Sequence, residues 1–307
     1  MKEFIISKKE EGLTLYKYSS KVLSKAPAGM LRKFLRKKNI ELNRKRSDGS
    51  DRLKEGDRVC FFLSEETFDR FSLSSANENE DLRVPGLDKK RIIFEDEDYL
   101  FYDKPAGLLS QGSSKGEPSL NDSLLKYIKV TDTVHPSVCN RLDRNTSGLI
   151  LCGKTYRGLK TLDEAIKQRR LEKYYLCVLE GRLKKAGMIR AYLKKDPQRN
   201  MAVISEVKKP GYDDICTGYE ILKQTGDLTL VKVCLVTGKP HQIRAMSAFL
   251  GAPVAGDRKY GASKIHAKRQ LLHSFRTVFP PDILDGRSFE APIPEDMSGF
   301  FDKIVTG

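Results

Sequence analysis

Motifs that would identify several common classes of protein are missing from this sequence. None of the six cysteines stands three positions from another, so the chain lacks the Cys-x-x-Cys pair of dithiol redox sites and many zinc sites. The four histidines make no zinc-ligand spacing with a cysteine pair, and Lys104-Pro105-Ala106-Gly107 does not match a phosphate-binding P-loop. A cysteine–histidine nucleophile stays open in principle, although no cysteine has a distinctive setting. The sequence therefore predicts no metal site.

Long apolar runs are also absent. No stretch approaches the roughly 20 apolar residues that a membrane helix needs. The segment from Met1 to Lys9 has too short an apolar run for a signal peptide. Most of the cysteines stand in short apolar runs typical of strands, where a reduced thiol behaves as a small hydrophobic side chain. We therefore expect a cytoplasmic, reduced protein with no membrane partner.

Positive charge is present in excess. The chain has 56 Lys and Arg against 41 Asp and Glu, a formal charge of +15 and a pI near 9.4. Such a charge attracts polyanions and speeds encounter with them, which favours a nucleic-acid partner. A soluble basic protein without that role has the same composition, so charge alone leaves both open. The length of 307 residues predicts about two domains.

Acidic residues are scarce in one window near the N-terminus. Residues 21–46 contain ten basic residues and one acid, Glu41. Apolar side chains recur there at helical spacing, at Met30, Leu31, Phe34 and Leu35. The predicted RNA contacts are the basic residues on the other face and in the turns that follow: Arg32, Lys33, Arg36, Lys37, Lys38 and Arg44. A solvated surface helix is the alternative interpretation.

The segment after this basic helix has a recognisable order of elements. Residues 40–43 predict a short strand, residues 44–49 a basic turn, and residues 58–63 a strand that follows Leu53-Lys54-Glu55-Gly56-Asp57. The order resembles the small alpha-L RNA-binding domain shared with a small-subunit ribosomal protein, over about residues 12–64. That family often has Asn-Gly where this chain has Asn43-Arg44, so the turn departs from its pattern.

A polar segment divides the chain. Residues 74–81 are acidic and poor in apolar side chains, and Pro85-Gly86 follows them. This composition is typical of a linker. We predict an alpha-L type RNA-binding domain at 1–70, a polar connector at 71–90 and a second domain at 91–300.

One carboxylate in the second domain stands between two arginines, in residues 141–151, Arg-Leu-Asp-Arg-Asn-Thr-Ser-Gly-Leu-Ile-Leu. A lone acid in such a frame is held in place and presented to a polyanionic ligand. The string resembles the signature Arg-Leu-Asp-Arg-Asp-Thr-Ser-Gly-Leu of the RluA-type pseudouridine synthases. The resemblance implies that Asp143 is catalytic, that Arg141 helps to displace the target nucleotide, and that Arg144 also contacts RNA. A salt-bridged aspartate at a strand edge is the alternative for a bare Arg-x-Asp.

Two further strings resemble motifs of the same family. Residues 173–181 resemble its Lys-x-Tyr-x-Ala-x-Val-x-Gly strand, which implies that Tyr175 is the functional tyrosine. Tyr174 faces the other way and is expected in the core, although a core position for Tyr175 is the local alternative. Residues 237–244 resemble Thr-Gly-Arg-Thr-His-Gln-Ile-Arg. Here Arg244 is expected one turn into a helix, paired bidentately with Asp143, rather than as a plain surface arginine.

The same motif supplies His241 and Gln242 as predicted substrate contacts. Gly256-Asp257-Arg258-Lys259-Tyr260-Gly261 matches the family's Gly-Asp-x-x-Tyr-Gly. The strand that ends at Asp103-Lys104-Pro105-Ala106-Gly107 resembles the family's Asn-Lys-Pro-Ala-Gly, so five motifs follow the family order. With further matches at Leu272-His273 and at residues 292–296, the resemblance covers about residues 91–297.

The resemblance implies an α+β fold, with a mixed, mainly antiparallel central sheet, flanking helices and a small N-terminal α/β domain. Strands and helices do not alternate strictly, which argues against a doubly wound parallel sheet. The implied reaction converts uridine to pseudouridine in RNA and needs no redox, phosphate or group donor, so no cofactor is expected. The resemblance of the N-terminal domain favours large-subunit ribosomal RNA as the partner. We expect the protein to be a monomer. A transfer-RNA substrate and a non-catalytic ribosome-assembly factor remain alternatives.

Overall fold

Two separate β-sheets organise the protein. The computed structural model describes residues 1–72, 84–112, 116–128 and 133–305. The helices are α1 (Leu15–Val22), α2 (Ala28–Arg36), α3 (Glu65–Phe71), α4 (Leu120–Tyr127), α5 (Tyr156–Lys167), α6 (Gln242–Phe249) and α7 (Glu295–Val305). The strands are β1 (Lys2–Ile5), β2 (Ile40–Leu42), β3 (Lys45–Arg46), β4 (Arg58–Phe61), β5 (Ile92–Glu95), β6 (Tyr99–Lys104), β7 (Ser137–Val138), β8 (Ser147–Gly153), β9 (Glu172–Glu180), β10 (Gly187–Asp196), β11 (Met201–Ser205), β12 (Asp213–Thr225), β13 (Leu228–Leu235), β14 (Leu272–Val278) and β15 (Ser288–Glu290).

The predicted connector at 71–90 cannot be traced through, because residues 73–83 lie outside the described residues. Within the described part of the chain, no helix is long and apolar enough to cross a membrane.

The smaller sheet belongs to the N-terminal part and has the strand order β1-β4-β2-β3. Helix α2 lies at its side and buries Leu31 and Leu35, which confirms the predicted helix with one apolar face. The predicted RNA contacts all have exposed side chains: Arg32, Lys33, Arg36, Lys37, Lys38 and Arg44. The amphipathic pattern therefore gives one face that packs inward and one that presents positive charge to solvent.

The departure from Asn-Gly does not remove the tight turn between β2 and β3. Asn43 and Arg44 both have left-handed backbone, with φ of 51° and 61°, as a two-residue type I′ hairpin turn requires. The backbone N–H of Asn43 donates to the Arg58 carbonyl at 2.8 Å. Its side-chain Oδ1 accepts from the Arg58 N–H at 2.8 Å, and its Nδ2 donates to Asp57 at 2.9 Å. These bonds hold the turn where the family glycine is missing.

Arg44→Gly is expected to raise the free energy of unfolding by about 1 kcal/mol. A left-handed non-glycine residue costs roughly 1–2 kcal/mol, and the extra freedom of glycine in the unfolded chain offsets part of that gain. Urea unfolding of the purified variant measures the change. Arg32→Gly removes the same charge from inside α2 and should instead lower stability by up to about 1 kcal/mol. A loss of stability in Arg44→Gly would contradict the strained turn.

The larger sheet has eleven strands and lies in the second part of the chain. Nine strands form the order β11-β10-β12-β13-β9-β14-β8-β6-β5, with β15 paired to β14 and β7 paired to β8. The β14–β8 pair is parallel and the other pairs are antiparallel, which confirms the mixed, mainly antiparallel sheet. Strands β12 and β13 form a hairpin joined at Gly226-Asp227. Helices α4 and α5 each bury an apolar side, with Leu120 and Leu124 in α4 and Leu162 and Ala165 in α5.

The N-terminal part packs directly against the second part of the chain. Val134 is buried among the N-terminal apolar side chains, and Tyr156 and Leu159 pack against the same cluster. The carboxylate of Glu10, itself 6% exposed, accepts a hydrogen bond from the Thr133 hydroxyl at 2.5 Å. The N–H of Tyr156 donates to the Lys9 carbonyl at 3.2 Å. A truncation that removes the N-terminal part would therefore expose apolar surface on the second part.

A close crossing of β8 and β14 fixes the start of β8. Gly148 has φ of 109°, and a Cβ atom there would lie 2.2 Å from the carbonyl oxygen of Ser274. Only glycine fits this position, because any side chain would be strained and would collide with backbone. The glycine of the Asp143 string is therefore the residue that lets β8 run beside β14, with Asp143 in the loop just before it.

Candidate active site

Asp143 lies in a tightly bonded loop at the edge of the large sheet. The Thr146 N–H donates to the Asp143 carbonyl at 3.0 Å. The hydroxyl of Ser110 donates to the Leu142 carbonyl at 2.9 Å and accepts from the Leu142 N–H at 3.0 Å. The Asp143 side chain stays 26% exposed. The loop therefore holds one carboxylate in place while leaving it open to a ligand.

Lys104 supports the same loop from inside. Its side chain is fully buried, and Nζ donates to the carbonyls of Pro105, Leu108 and Arg144 at 2.9, 2.8 and 3.0 Å. Burial lowers the pKa of Lys104 to about 7. The sequence places Lys104 in a string similar to the family's Asn-Lys-Pro-Ala-Gly, but it assigns this lysine no role. Its position at the end of a strand beside Pro105 and Gly107 is the signal that could have marked a structural lysine.

Arg244 connects two carboxylates. Its Nη1 donates to Oδ2 of Asp143 at 2.7 Å, while Nε and Nη2 donate to the two oxygens of Asp257 at 2.6 and 2.9 Å. The expected bidentate pair with Asp143 is therefore wrong in detail, because the paired donors of the guanidinium face Asp257 and one donor remains for Asp143. Burial lowers the pKa of Arg244, but its bonds to Asp257 and Asp143 raise it overall.

Asp257 is a site residue that the sequence motifs alone did not assign. Its side chain is 2% exposed and is held against Arg244 by the bidentate pair. The preceding Gly256 has φ of 78°, and a Cβ atom there would lie 2.1 Å from the Arg269 carbonyl oxygen. The Gly-Asp-x-x-Tyr-Gly motif could have marked Asp257 as a site residue, but the motif does not show that its partner is Arg244.

His241 adjoins the same carboxylate. It precedes α6 with left-handed backbone, φ 58°. Its Nδ1 lies 3.0 Å from the Tyr260 hydroxyl and its Nε2 lies 3.8 Å from Oδ2 of Asp143. Burial lowers the pKa of His241, which favours the neutral imidazole at neutral pH. The motif therefore brings His241 beside Asp143, where a ligand of that carboxylate would meet it.

Gln242 points into the protein. Its Nε2 donates to the Cys216 carbonyl at 3.2 Å and the Thr217 hydroxyl at 2.9 Å. Its Oε1 accepts from the Thr237 hydroxyl at 2.9 Å and the Lys239 N–H at 3.1 Å. Two of these bonds tie the start of α6 to β12, and the other two tie it to the loop after β13, so both ends of the amide are used. Its predicted contact with substrate stays a prediction.

Tyr175 is the buried tyrosine of β9. It is 6% exposed and stands opposite Ser274 of β14. Burial raises the pKa of Tyr175 to about 12, so the phenol is neutral at physiological pH. The expected core position of Tyr174 is wrong, because this ring is partly exposed and its hydroxyl donates to Glu172 at 2.7 Å. The two tyrosines do face opposite sides, but the buried side is that of Tyr175.

The two arginines around Asp143 have exposed side chains. Arg144 is paired with Glu117 at 2.6 Å, whereas the structure gives no ion pair for Arg141 within the described residues. An exposed guanidinium is available to phosphates and to stacked bases. An exposed pair such as Arg144–Glu117 contributes little stability, so a polyanionic ligand can displace Glu117 at small cost.

A buried histidine supports the strand that follows Asp143. His273 is fully buried, and its Nδ1 lies 2.9 Å from the Ser147 hydroxyl. Its Nε2 lies 3.3 Å from the Ala291 carbonyl oxygen. Burial lowers the pKa of His273 from 6.5 to about 4.

This histidine is expected to make the protein less stable in mild acid. Because its folded pKa lies below its unfolded pKa, its stabilising contribution is fully present above about pH 6.5 and is lost toward pH 4. At pH 5 the loss should be about 2 kcal/mol relative to pH 7.5. Urea unfolding at both pH values measures it, with His273→Gln as the test and the exposed His135→Gln as the control. Equal pH dependence in His273→Gln and the wild type would contradict this account.

Among the residues that the structure describes, no three His, Cys, Asp or Glu side chains gather into a group that could hold a metal ion. The site instead combines a partly exposed carboxylate, a buried guanidinium, a neutral imidazole and a neutral phenol. Such a set suits proton management and charge stabilisation on a bound nucleotide.

Comparison with known proteins identifies pseudouridine synthases as relatives of this chain. Residues 98–249 match the family model for RNA pseudouridylate synthase. The ribosomal large subunit pseudouridine synthase C of Rickettsia bellii is 31% identical over 302 residues, covering 94% of this chain and 96% of that protein. An uncharacterized RNA pseudouridine synthase of Mycoplasma genitalium is 29% identical, and the match covers 99% of this chain and 96% of that protein.

A solved structure supports the fold. The human RNA pseudouridylate synthase domain containing 4 aligns with a TM-score of 0.57 at 19% identity, over 71% of this chain and 92% of that one. The family match, the near full-length relatives and the shared sheet agree with the motif order around Asp143. The chain therefore belongs to the RluA-type RNA pseudouridylate synthases, enzymes that isomerise uridine to pseudouridine.

Proposed function

We propose that this protein isomerises uridine in large-subunit ribosomal RNA, with Asp143 as the catalytic carboxylate. The observation that carries the proposal is the geometry of Asp143, a partly exposed acid held by Arg244, which Asp257 fixes in turn. The Rickettsia relative is a ribosomal large subunit pseudouridine synthase, which supports ribosomal RNA as the substrate class.

Each residue around Asp143 has a proposed part in the isomerisation. The base must leave its stack, detach from the ribose through nitrogen, turn, and rejoin through carbon. Asp143 acts next to the ribose and the ring, and Arg244 keeps its carboxylate in one orientation. Tyr175, neutral with a pKa near 12, contacts the uracil and donates a hydrogen bond rather than serving as a base at neutral pH.

The exposed residues around the site supply the grip on RNA. Arg141 fills the space of the displaced nucleotide, and Arg144 exchanges Glu117 for a phosphate. His241 contacts the target nucleotide directly. Gln242 contributes by holding the start of α6, because its amide is already bonded inside the protein.

The N-terminal part supplies affinity for large RNA. We assign residues 1–70 to an alpha-L type RNA-binding domain, 71–90 to a connector and 91–300 to the catalytic domain. One chain provides Asp143, Arg244, Asp257 and Tyr175, so a monomer is sufficient for activity. Because the proposed substrate is ribosomal RNA, we assign the enzyme to the cytoplasm.

Purified protein incubated with large-subunit ribosomal RNA, or with unmodified transfer RNA, tests the substrate. Pseudouridine is read by carbodiimide labelling and primer extension. Modification of defined uridines in the ribosomal RNA supports the proposal. Modification of transfer RNA alone would show that the substrate is wrong, and binding without modification of either would favour an assembly factor.

Removing two charges from α2 is expected to weaken binding of large RNA and to flatten its salt dependence. The loss of a single ion pair with an RNA phosphate should reduce the slope of log affinity against log salt by roughly 0.7–0.9. The double variant Lys33→Gln with Arg36→Gln should therefore reduce it by roughly 1.4–1.8. The matched control is Lys160→Gln with Lys167→Gln, which removes two exposed charges from α5. Equal slopes in both double variants would show that α2 is only a solvated surface.

A further inference from the structure

The Tyr260 hydroxyl lies beside one ring nitrogen of His241, Nδ1. The Tyr260 hydroxyl accepts a hydrogen bond from the Ala202 N–H at 2.7 Å and lies 3.0 Å from Nδ1 of His241. A phenol has one hydrogen to donate. Within the described residues, the hydrogen-bond partners of this hydroxyl are those two, and Ala202 is a donor. The hydroxyl hydrogen is bonded within the protein only when it points to Nδ1. In that arrangement Nδ1 is the acceptor, and the imidazole proton lies on Nε2.

In this arrangement Nε2 carries the proton, and it faces Asp143 without being bonded to it. The distance from Nε2 to Oδ2 of Asp143 is 3.8 Å, too long for a hydrogen bond. That oxygen already accepts from Nη1 of Arg244 at 2.7 Å. His241 thus holds an N–H donor beside the catalytic carboxylate. Within the described residues, no protein atom accepts a hydrogen bond from this donor.

The backbone and the surrounding charges hold His241 in this state. Its left-handed backbone, φ 58°, is uncommon outside glycine and is typical of constrained sites. The charged groups that act on the ring are Asp143, Arg244, Lys259 and Asp257, and burial is the largest influence, lowering the pKa of His241. A neutral ring keeps one fixed donor and does not form an ion pair with Asp143.

Tyr260 is itself held in place. Its ring meets the His241 ring edge to face, with centroids 5.8 Å apart. The Arg244 guanidinium lies over the Tyr260 ring at 5.1 Å, a cation–π contact. Tyr260 therefore connects His241 to Arg244, the residue that is bonded to both Asp143 and Asp257.

We propose that His241, fixed by Tyr260 as the Nε2–H tautomer, donates a hydrogen bond to a carbonyl oxygen of the target uracil, and that Tyr260 is a positioning residue. When the bond between base and ribose breaks, its electron pair goes to the base and the carbonyl oxygens take up negative charge. A preorganised donor beside that oxygen stabilises the charge, an effect typically worth about 100- to 1000-fold in turnover. The inference rests on the proposed role of Asp143.

The tautomer is measured by ¹⁵N NMR of the full-length protein labelled at histidine. The chain has four histidines, and His241→Asn assigns the signal by its loss. We expect the wild type to show a protonated Nε2 and an unprotonated Nδ1. Tyr260→Phe keeps the ring over Arg244 and removes the hydroxyl, so its His241 signal should report a mixture of tautomers. A protonated Nδ1 in the wild type would overturn the proposal, and this readout does not depend on turnover.

Kinetics on cognate RNA supply the second measurement. Tyr260→Phe should lower kcat by about 10- to 100-fold with little change in KM, and His241→Asn by about 100-fold or more. The double variant should lose no more than His241→Asn alone, because the hydroxyl acts through the imidazole. The control is Tyr219→Phe, which removes a buried hydroxyl bonded to Ser247 at 3.0 Å and should leave kcat unchanged.

Two results would separate failure of this proposal from failure of the proposed function. An unchanged kcat in Tyr260→Phe, or additive losses in the double variant, would overturn the role of Tyr260 while wild-type activity stands. Full activity in Asp143→Asn would remove the catalytic site on which the proposal depends.

Discussion

Asp143→Asn is expected to abolish pseudouridine formation while RNA binding stays within about twofold of the wild type. Asparagine keeps the shape of the side chain, and its carbonyl oxygen still accepts from Nη1 of Arg244, so the loop should keep its conformation. The charge beside the ribose is lost. Turnover should fall by at least about 1000-fold, which corresponds to roughly 4 kcal/mol of barrier.

Single-turnover assays on ribosomal RNA and binding titrations at one salt concentration measure the two quantities separately. Asp163→Asn, which removes an exposed carboxylate from α5, serves as the control and should behave as the wild type. If Asp143→Asn turned over its RNA at the wild-type rate, Asp143 would be an ordinary salt-bridged residue. If binding and turnover fell together, the variant would report on folding or on RNA contact.

Arg244→Lys is expected to lower turnover by about 100-fold or more. The guanidinium makes three hydrogen bonds to two carboxylates, at 2.7 Å to Asp143 and at 2.6 and 2.9 Å to Asp257. A lysine keeps the charge but cannot reproduce the planar fork of donors. Asp143 then loses its orientation, and a shift of about 1 Å in a catalytic group costs about 100-fold. Affinity for RNA should change much less, because the side chain is 8% exposed.

Measuring kcat and Kd for this variant distinguishes support of the carboxylate from direct phosphate binding. Arg157→Lys is the matched control, because Arg157 also offers two nitrogens to one aspartate, Asp98, away from Asp143. A loss of affinity with unchanged kcat would identify Arg244 as a phosphate contact. Arg244→Ala is less informative, since leaving Asp257 buried without a partner costs about 3–5 kcal/mol of stability.

The sequence was most informative where function depends on consecutive residues. The string around Asp143 marked the loop that holds this carboxylate beside Arg244. Its Gly148 is required by the close approach of Ser274. The turn before Arg244 also placed that residue correctly in α6. These predictions succeed because strand ends, tight turns and short helices are encoded locally.

Partners chosen by the tertiary structure could not be predicted in the same way. Arg244 has two carboxylates within reach, and which of them receives the paired donors depends on how the loop after α6 returns to the sheet. The three carbonyls around Lys104 come from two separate loops. Burial of Tyr175 rather than Tyr174 depends on which face of β9 is covered, a fact that alternation alone does not give.

The packing of the N-terminal part against the rest of the chain could not be predicted from the sequence either. Val134 is an unremarkable residue in the sequence, yet it is 1% exposed and lies in the N-terminal core. The polar composition after Phe71 suggested independent units. The charge variants on α2 therefore test the N-terminal contribution to RNA binding better than a truncation, which would also uncover this apolar surface.

The most direct test is a map of pseudouridine in the ribosomal RNA of cells that lack this protein. Cells complemented with the wild type or with Asp143→Asn are mapped beside them at single-nucleotide resolution. We expect one or a few uridines of the large-subunit RNA to lose modification, and only the wild-type protein to restore it. A complete set of pseudouridines in the deleted cells, or restoration by Asp143→Asn, would contradict the account.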